Sequence, residues 1–387
     1  MPYFPSAPGG SVLLPNTIDN TILMDMPAGT VKGRAAGAGT GDPQDLTQAQ
    51  LQAMVGLSYR NILGRNGGFE VWQRWPSGVA IASGTSAGIY AVDGWCLQTG
   101  ANQDCAVSPN NALTAGSRRS AYVQRLPGMT GTGLLIFEFP LDTDELACAW
   151  GQQVTLSFTA LAGATWSPAG GTLLVSMRTG TGAPAKRLTA PYTGETQVIN
   201  AVAVTVPPGG PITRYTMTSP FIVPISTTQA CVQFLWTPVG TAGATDLISF
   251  DDVQLEVGSI ATPFERRPFE SELQACRRHY FKTFNYASAP ATGVAGNGFM
   301  FTQAAAAGAP QGGNSYRLPV EMRTAPTVVT YNPAAANSQV RNEFTGTDCS
   351  STATNQSQWH IRLDTTPPAG SNAGHLLNVH LTADAGI

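Results

Sequence analysis

Ile248-Ser249-Phe250-Asp251-Asp252-Val253-Gln254-Leu255-Glu256 and, far upstream, Asn66-Gly67-Gly68-Phe69-Glu70-Val71-Trp72-Gln73-Arg74 are the two stretches whose reading decides the fold. Between them lie short apolar runs broken by turn residues. In Val154, Leu156, Phe158 and Ala160 apolar side chains recur at every second place, which puts them on one face of a pleated strand. Further strands are expected over 134–139, 171–178, 213–218 and 231–236. Pro168-Ala169-Gly170-Gly171, Pro207-Pro208-Gly209-Gly210-Pro211 and Gly240-Thr241-Ala242-Gly243 separate the runs. Strands of this length and spacing fit a two-sheet jelly roll.

The composition agrees. The chain has 387 residues with 42 Gly and 28 Pro, and 12% of its residues are charged, against a usual share of about 25%. Few charges, many turn formers and little helical periodicity point to an all-β protein. The formal net charge is -3, and basic residues form no stripe, so the footprint of a nucleic-acid binder is missing. No apolar stretch is long enough to span a membrane. Met1-Pro2-Tyr3-Phe4-Pro5 has neither the basic nor the apolar part of a secretory signal. The expectation is a product made in the cytoplasm and released by lysis. The six cysteines, at 96, 105, 148, 231, 276 and 349, form no CxxC pair and match no zinc spacing. Most of them read as small buried apolar residues; the alternative for Cys96 and Cys105 is a hairpin pair.

Four pieces are expected: an attachment segment at 1–57, a jelly roll at 58–264, a connecting helix at 265–284 and a small β domain at 285–387. In the first, Asp45 reads as a helix N-cap with Gln48 three residues on, and Leu46, Ala49, Ala53 and Met54 fall on one face. In the third, Phe269, Leu273, Cys276 and Tyr280 step by four and three residues. That seam suits either packing of three chains about an axis or docking on the sandwich. In the last, 359–363 and 375–381 are the strand candidates.

Several of these phrases resemble bacteriophage tail fibres and receptor-binding proteins that carry a jelly roll like that of carbohydrate-binding modules. Gly29-Thr30-Val31-Lys32-Gly33-Arg34 with Gly39-Thr40-Gly41-Asp42-Pro43 resembles the attachment phrase near their start. Asn66-Gly67-Gly68-Phe69-Glu70 and Asp251-Asp252-Val253 resemble the first and last strands of the jelly roll. Pro263-Phe264-Glu265-Arg266-Arg267-Pro268 with Glu272-Leu273-Gln274-Ala275-Cys276 resembles the closing phrase, though His279 stands where an aromatic is expected. The resemblance implies a homotrimeric virion fibre. Residues 1–57 would dock to other tail or baseplate proteins, and the body would bind a host-surface glycan without catalysis. It also implies a structural Ca²⁺ held by Glu70 and Asp252 with backbone carbonyls, a donor set of hard oxygens that suits calcium.

Other classes remain open at this point. One is a purely structural tail, baseplate, collar or head-decoration protein, and another is a glycan depolymerase. Asp142, Asp144 and Glu145 lie close in sequence, as do Asp251 and Asp252, and glycoside hydrolysis uses two carboxyl groups. Asp142-Thr143-Asp144-Glu145 reads as a solvated loop. No G-x-S-x-G elbow or P-loop occurs, and the four histidines, at 279, 360, 375 and 380, read as structural or surface residues. Glycan binding would rest on aromatic faces. Trp72 and Trp95 belong to strand phrases and read as core. Trp75, Trp166 and Tyr192 lie in loops and are the candidate binding rings.

Overall fold

The computed structural model describes residues 31–34, 44–47, 50–51, 60–294, 300–304, 311–354 and 356–387. Met1–Leu57 and Ser58–Ile387 form two units. In the first, β1 (Val31–Gly33) pairs antiparallel with β2 (Gln44–Leu46). Lys32 and Asp45 face each other in that register and form an ion pair at 2.7 Å. Asp45 is therefore a strand residue and not the expected helix cap. Thr47 takes that role two residues later. Its Oγ1 accepts the N–H of Gln50 at 3.2 Å, and Gln50 Oε1 accepts the N–H of Thr47 at 2.8 Å, a capping box. Residues 21–30 and 35–43, and Gln48, Ala49, Ala53 and Met54 of the expected helix, lie outside the described residues.

The second unit is all-β, as its alternating pattern requires. One six-stranded sheet runs β11 (Thr193–Thr205), β10 (Thr172–Thr181), β13 (Gln229–Trp236), β8 (Leu135–Leu141), β5 (Trp95–Gln98), β4 (Ile89–Val92). The other runs β12 (Thr213–Thr218), β9 (Val154–Ala162), β14 (Leu247–Val257), β7 (Ser120–Arg125), β6 (Cys105–Asn110), β3 (Val79–Ile81). The two face each other as a jelly-roll sandwich. A third sheet runs β15 (Tyr280–Lys282), β22 (Leu376–Asp384), β19 (Val340–Asn342), β20 (Thr347–Thr354), β21 (His360–Thr366), β17 (Gln311–Arg317). β16 (Met300–Gln303) and β18 (Thr327–Tyr331) also pair with β22.

The sandwich core is an aromatic stack. Trp95 on β5, Phe137 on β8 and Phe234 on β13 face Phe158 on β9 and Phe250 on β14, and none is exposed to solvent. Trp95 lies 4.9 Å from Phe137 and Phe234 lies 4.5 Å from Phe250 between ring centroids. Each such side chain contributes about 1.5–3 kcal/mol by burial, and offset stacking adds to this. Trp72 is equally buried.

Phe69 and Val253 lie together, as the two opening stretches suggested. Val253 donates its N–H to Gly67 O at 2.9 Å and Ile62 donates to Leu255 O at 2.7 Å. A Cβ on Gly67 would sit 2.3 Å from Val253 O, so only glycine permits this approach. Phe69 enters the core stack 5.1 Å from Trp95. One expectation is corrected: residues 66–74 form turns and bends and not a strand. Asn66 and Phe69 both hold positive φ, at 45° and 54°, which takes the chain out of the extended region. Asp252 also has positive φ, at 50°, and marks a break in the pairing between β14 and β9.

Helix α1 (Thr143–Leu146) replaces the expected solvated loop. Asp142 and Glu145 form its capping box, and Glu145 pairs with the buried Arg65. Helix α2 (Phe269–Arg277) turns Leu273 and Cys276 onto Val71 of its own chain, beside Phe269 and Tyr286. That seam therefore docks on the body of its own chain. All six cysteines are free. Cys96 and Cys105 sit in opposite sheets, so no hairpin joins them. Five of the six are buried, as expected of most, and Cys148 is exposed.

Candidate functional site

A cleft of about 560 Å³ opens where the end of the 66–74 stretch meets the third sheet. The chain enters it because Gln73 is anchored on both sides: its Nε2 donates to Asp93 Oδ1 at 2.8 Å and to Tyr280 O at 3.0 Å. The next two residues, Arg74 and Trp75, then line the cleft with Tyr90 from β4, Tyr280 from β15, Tyr331 from β18 and Asp384 from β22. Lys186 reaches in from the connection between β10 and β11.

Arg74 organises this cluster. Its guanidinium sits 3.9 Å from the Tyr280 ring centroid and 4.8 Å from that of Tyr90, within cation–π range of both. Its Nη1 and Nη2 donate to Asp384 Oδ2 and Oδ1 at 2.6 and 3.1 Å, a bidentate pair. Burial works against the Arg74 charge, but Asp384 outweighs it and holds the guanidinium protonated. Burial likewise works against Asp384, and Arg74 keeps that carboxyl below its usual range. The indole of Trp75 is half-buried, with Nε1 donating to Tyr90 O at 3.0 Å. Burial, and next the neighbouring Cys96, push the Tyr90 phenol upward, so it remains a donor. Lys186 Nζ donates to the carbonyls of Ala87 and Gly88 at 2.9 and 2.7 Å and lies 5.3 Å from the Tyr90 ring.

Of the three candidate rings, the structure places Trp75 in this cleft and removes the other two from solvent. Trp166 is 3% exposed because its indole joins the sandwich core. Tyr192 is 6% exposed, with Oη donating to Ala185 O and Ala230 O at 3.0 and 3.1 Å. A loop position in sequence did not mean a surface ring in either case. Arg74, Tyr90, Lys186, Tyr280, Tyr331 and Asp384 were not singled out from sequence. They come from six separated segments, and only Arg74, adjacent to Trp75, carried a local signal.

The residues implied to hold calcium do not fit that ion. Asp252 Oδ1 and Oδ2 accept Arg266 Nη2 at 3.0 and 2.9 Å, and Oδ2 also accepts Thr114 Oγ1 at 2.8 Å. Glu70 Oε1 accepts the N–H of Arg118 at 2.8 Å. Calcium needs about six to eight oxygen ligands, whereas a tethered guanidinium already neutralises Asp252. Among the described residues no group of three or more His, Cys, Asp or Glu side chains is placed to hold a metal ion. Asp251 is bound by donors of the 111–119 loop: Leu113 N at 3.0 Å and Ser117 Oγ at 3.2 Å. Burial, and then the adjacent Asp252, push its carboxyl up to about 7.

No protein-family model matches the chain, and no match is found among curated proteins. Among solved structures, the xylan-binding CBM22-1 domain of Paenibacillus barcinonensis Xyn10C is 16% identical, covers 48% of this chain and 98% of its own, and has a TM-score of 0.28. The tandem CBM22-1–CBM22-2 domain of the same enzyme is 16% identical over 80% of this chain and 91% of its own, with a TM-score of 0.29. The enzymatically active domain of tailspike protein 4 of bacteriophage CBA120 is also 16% identical, over 46% of this chain but 22% of its own, with a TM-score of 0.30. Likenesses at this level decide nothing about function, and the chain itself is an all-β jelly-roll sandwich joined to a third antiparallel sheet.

Proposed function

We propose that this chain is a virion fibre subunit that holds a host-surface glycan in the cleft beside Trp75, by binding and without catalysis. The observation that carries the reading is the lining itself: the rings of Trp75, Tyr90, Tyr280 and Tyr331 with the polar groups of Arg74, Lys186 and Asp384 in one concavity. Sugar C–H faces pack on such rings, and hydroxyls exchange hydrogen bonds with the polar edge. Ligand sites combine apolar walls with a few placed polar groups in this way. Glycoside hydrolysis uses two acids at about 5–5.5 Å or 6.5–9.5 Å. Asp384 is the one carboxylate among the lining residues, and Arg74 holds both its oxygens. That supports gripping over cutting. The virion setting, the homotrimer and attachment through 1–57 rest on the resembling sequence phrases. Three weak sites on one fibre would gain avidity through effective concentration.

A titration followed by tryptophan emission, against a panel of purified bacterial surface polysaccharides, tests the reading. At least one polysaccharide is expected to bind, and Trp75→Ala to weaken it about tenfold or more with the folded-state spectrum unchanged. The absence of binding across the panel, or equal binding by Trp75→Ala, would overturn it. Release of reducing ends would overturn the non-catalytic part.

A further inference from the structure

We infer that the cleft selects an acid-bearing glycan, whose carboxylate is received by Lys186 and the Tyr90 hydroxyl; this rests on the glycan reading of the same cleft. The argument is a count of donors against acceptors. Tyr90 Oη and Arg74 Nε are both buried and have no hydrogen-bond partner. An ammonium has three donors, and Lys186 Nζ gives two to the carbonyls of Ala87 and Gly88. One remains. On the acceptor side Asp384 is largely occupied: Oδ2 takes Arg74 Nη1, and Oδ1 takes Arg74 Nη2 and the N–H of Gly386 at 3.0 Å, which leaves one of its roughly four lone-pair sites.

These groups therefore hold three spare donors against one spare acceptor site on Asp384. Burying a donor without a partner costs about 1–3 kcal/mol, so a ligand that supplies acceptors is favoured. A carboxylate is acceptor-only and offers about four lone-pair sites, whereas a sugar hydroxyl brings its own donor. Charge points the same way. Arg74 and Asp384 cancel, and the Lys186 ammonium is bonded to carbonyls and not to a carboxylate. The cleft thus carries one net positive charge over an aromatic wall.

The test uses the full chain with matched pairs of uronic-acid oligosaccharides and their carboxyl-reduced counterparts, beside a neutral glycan panel. The acidic member of a pair is expected to bind about tenfold more tightly, with the gap narrowing as salt is added. Lys186→Met and Tyr90→Phe should each narrow it. Because the Tyr90 hydroxyl is a buried donor with no internal partner, Tyr90→Phe should leave the melting temperature at or above that of the wild type. Should Lys186→Met fail to fold, Tyr90→Phe and the salt series decide the matter. Equal affinities within every pair would overturn acid selection and leave glycan binding intact. No binding by any acidic or neutral glycan would overturn the reading of the cleft itself.

Discussion

The closing seam of the sandwich and the cleft beside Trp75 both crowd charged and aromatic residues, yet they balance their hydrogen bonds differently. At the seam the acids are met by the protein's own donors. Asp252 has Arg266 and Thr114, Asp251 has Leu113 N and Ser117, and Glu272 Oε2 has the N–H of Asn66 at 2.8 Å. Glu70 Oε2 lies outside hydrogen-bond reach, 3.9 Å from Arg118 Nε. In the cleft the surplus is of donors, on Arg74 and Tyr90. At the seam the acids named are closed by the chain's own donors, whereas in the cleft two donors stay open beside a concavity. The two clusters look alike in sequence, and their difference shows only in three dimensions.

Three changes press on that contrast. The largest effect is expected from Gly67→Ala. The new Cβ would meet Val253 O at 2.3 Å, parting the seam and costing about 3 kcal/mol, at the upper end of ordinary substitutions. Chemical denaturation reads this directly, and an unchanged midpoint would mean that the seam does not hold the sandwich.

The second is pH. Glu138, fully buried on β8, accepts Gln233 Nε2 at 2.7 Å and the N–H of Arg187 at 2.9 Å. Burial nevertheless raises its carboxyl from 4.5 to about 7. The folded chain therefore binds this proton more tightly than the unfolded chain. The resulting stability is fully present below about pH 4.5 and is lost as pH rises through about 7. The upper bound is roughly 3 kcal/mol, and Asp251 adds in the same direction. Melting temperatures are expected to fall from pH 5 to pH 8, and Glu138→Gln to flatten much of that slope. A slope unaltered by Glu138→Gln would contradict the assignment.

The smallest of the three concerns Arg266. Its side chain is 31% exposed, so Arg266→Gln is expected to cost about 1–2 kcal/mol, less than breaking a fully buried pair. Chelator should leave the wild-type melting temperature where it was. A chelator-induced drop would show that a metal, and not the guanidinium, balances Asp252.

Much of this fold was legible in the sequence. The alternation at Val154, Leu156, Phe158 and Ala160 gives β9, and Trp72 and Trp95 are core as expected, Trp95 on β5 but Trp72 on a stretch of turns and bends. Other signals are short and local. Asp142 and Glu145 stand at capping-box spacing, as do Thr47 and Gln50, and each pair caps a helical turn. Trp166 and Tyr192 could not be judged locally, since their burial depends on strands far away in sequence. The cleft was hidden for the same reason. Trp75 meets Tyr280 and Asp384 only because Gln73 and Arg74 are tied to the third sheet, and no periodicity announces such a junction.

The most direct measurement is a crystal structure of the full chain with a polysaccharide fragment identified by the emission titration. The account predicts a sugar ring against the indole of Trp75 with a carboxylate at Lys186 Nζ and Tyr90 Oη. A fragment bound on the outer face of either sandwich sheet, with the Trp75 cleft empty, would contradict it.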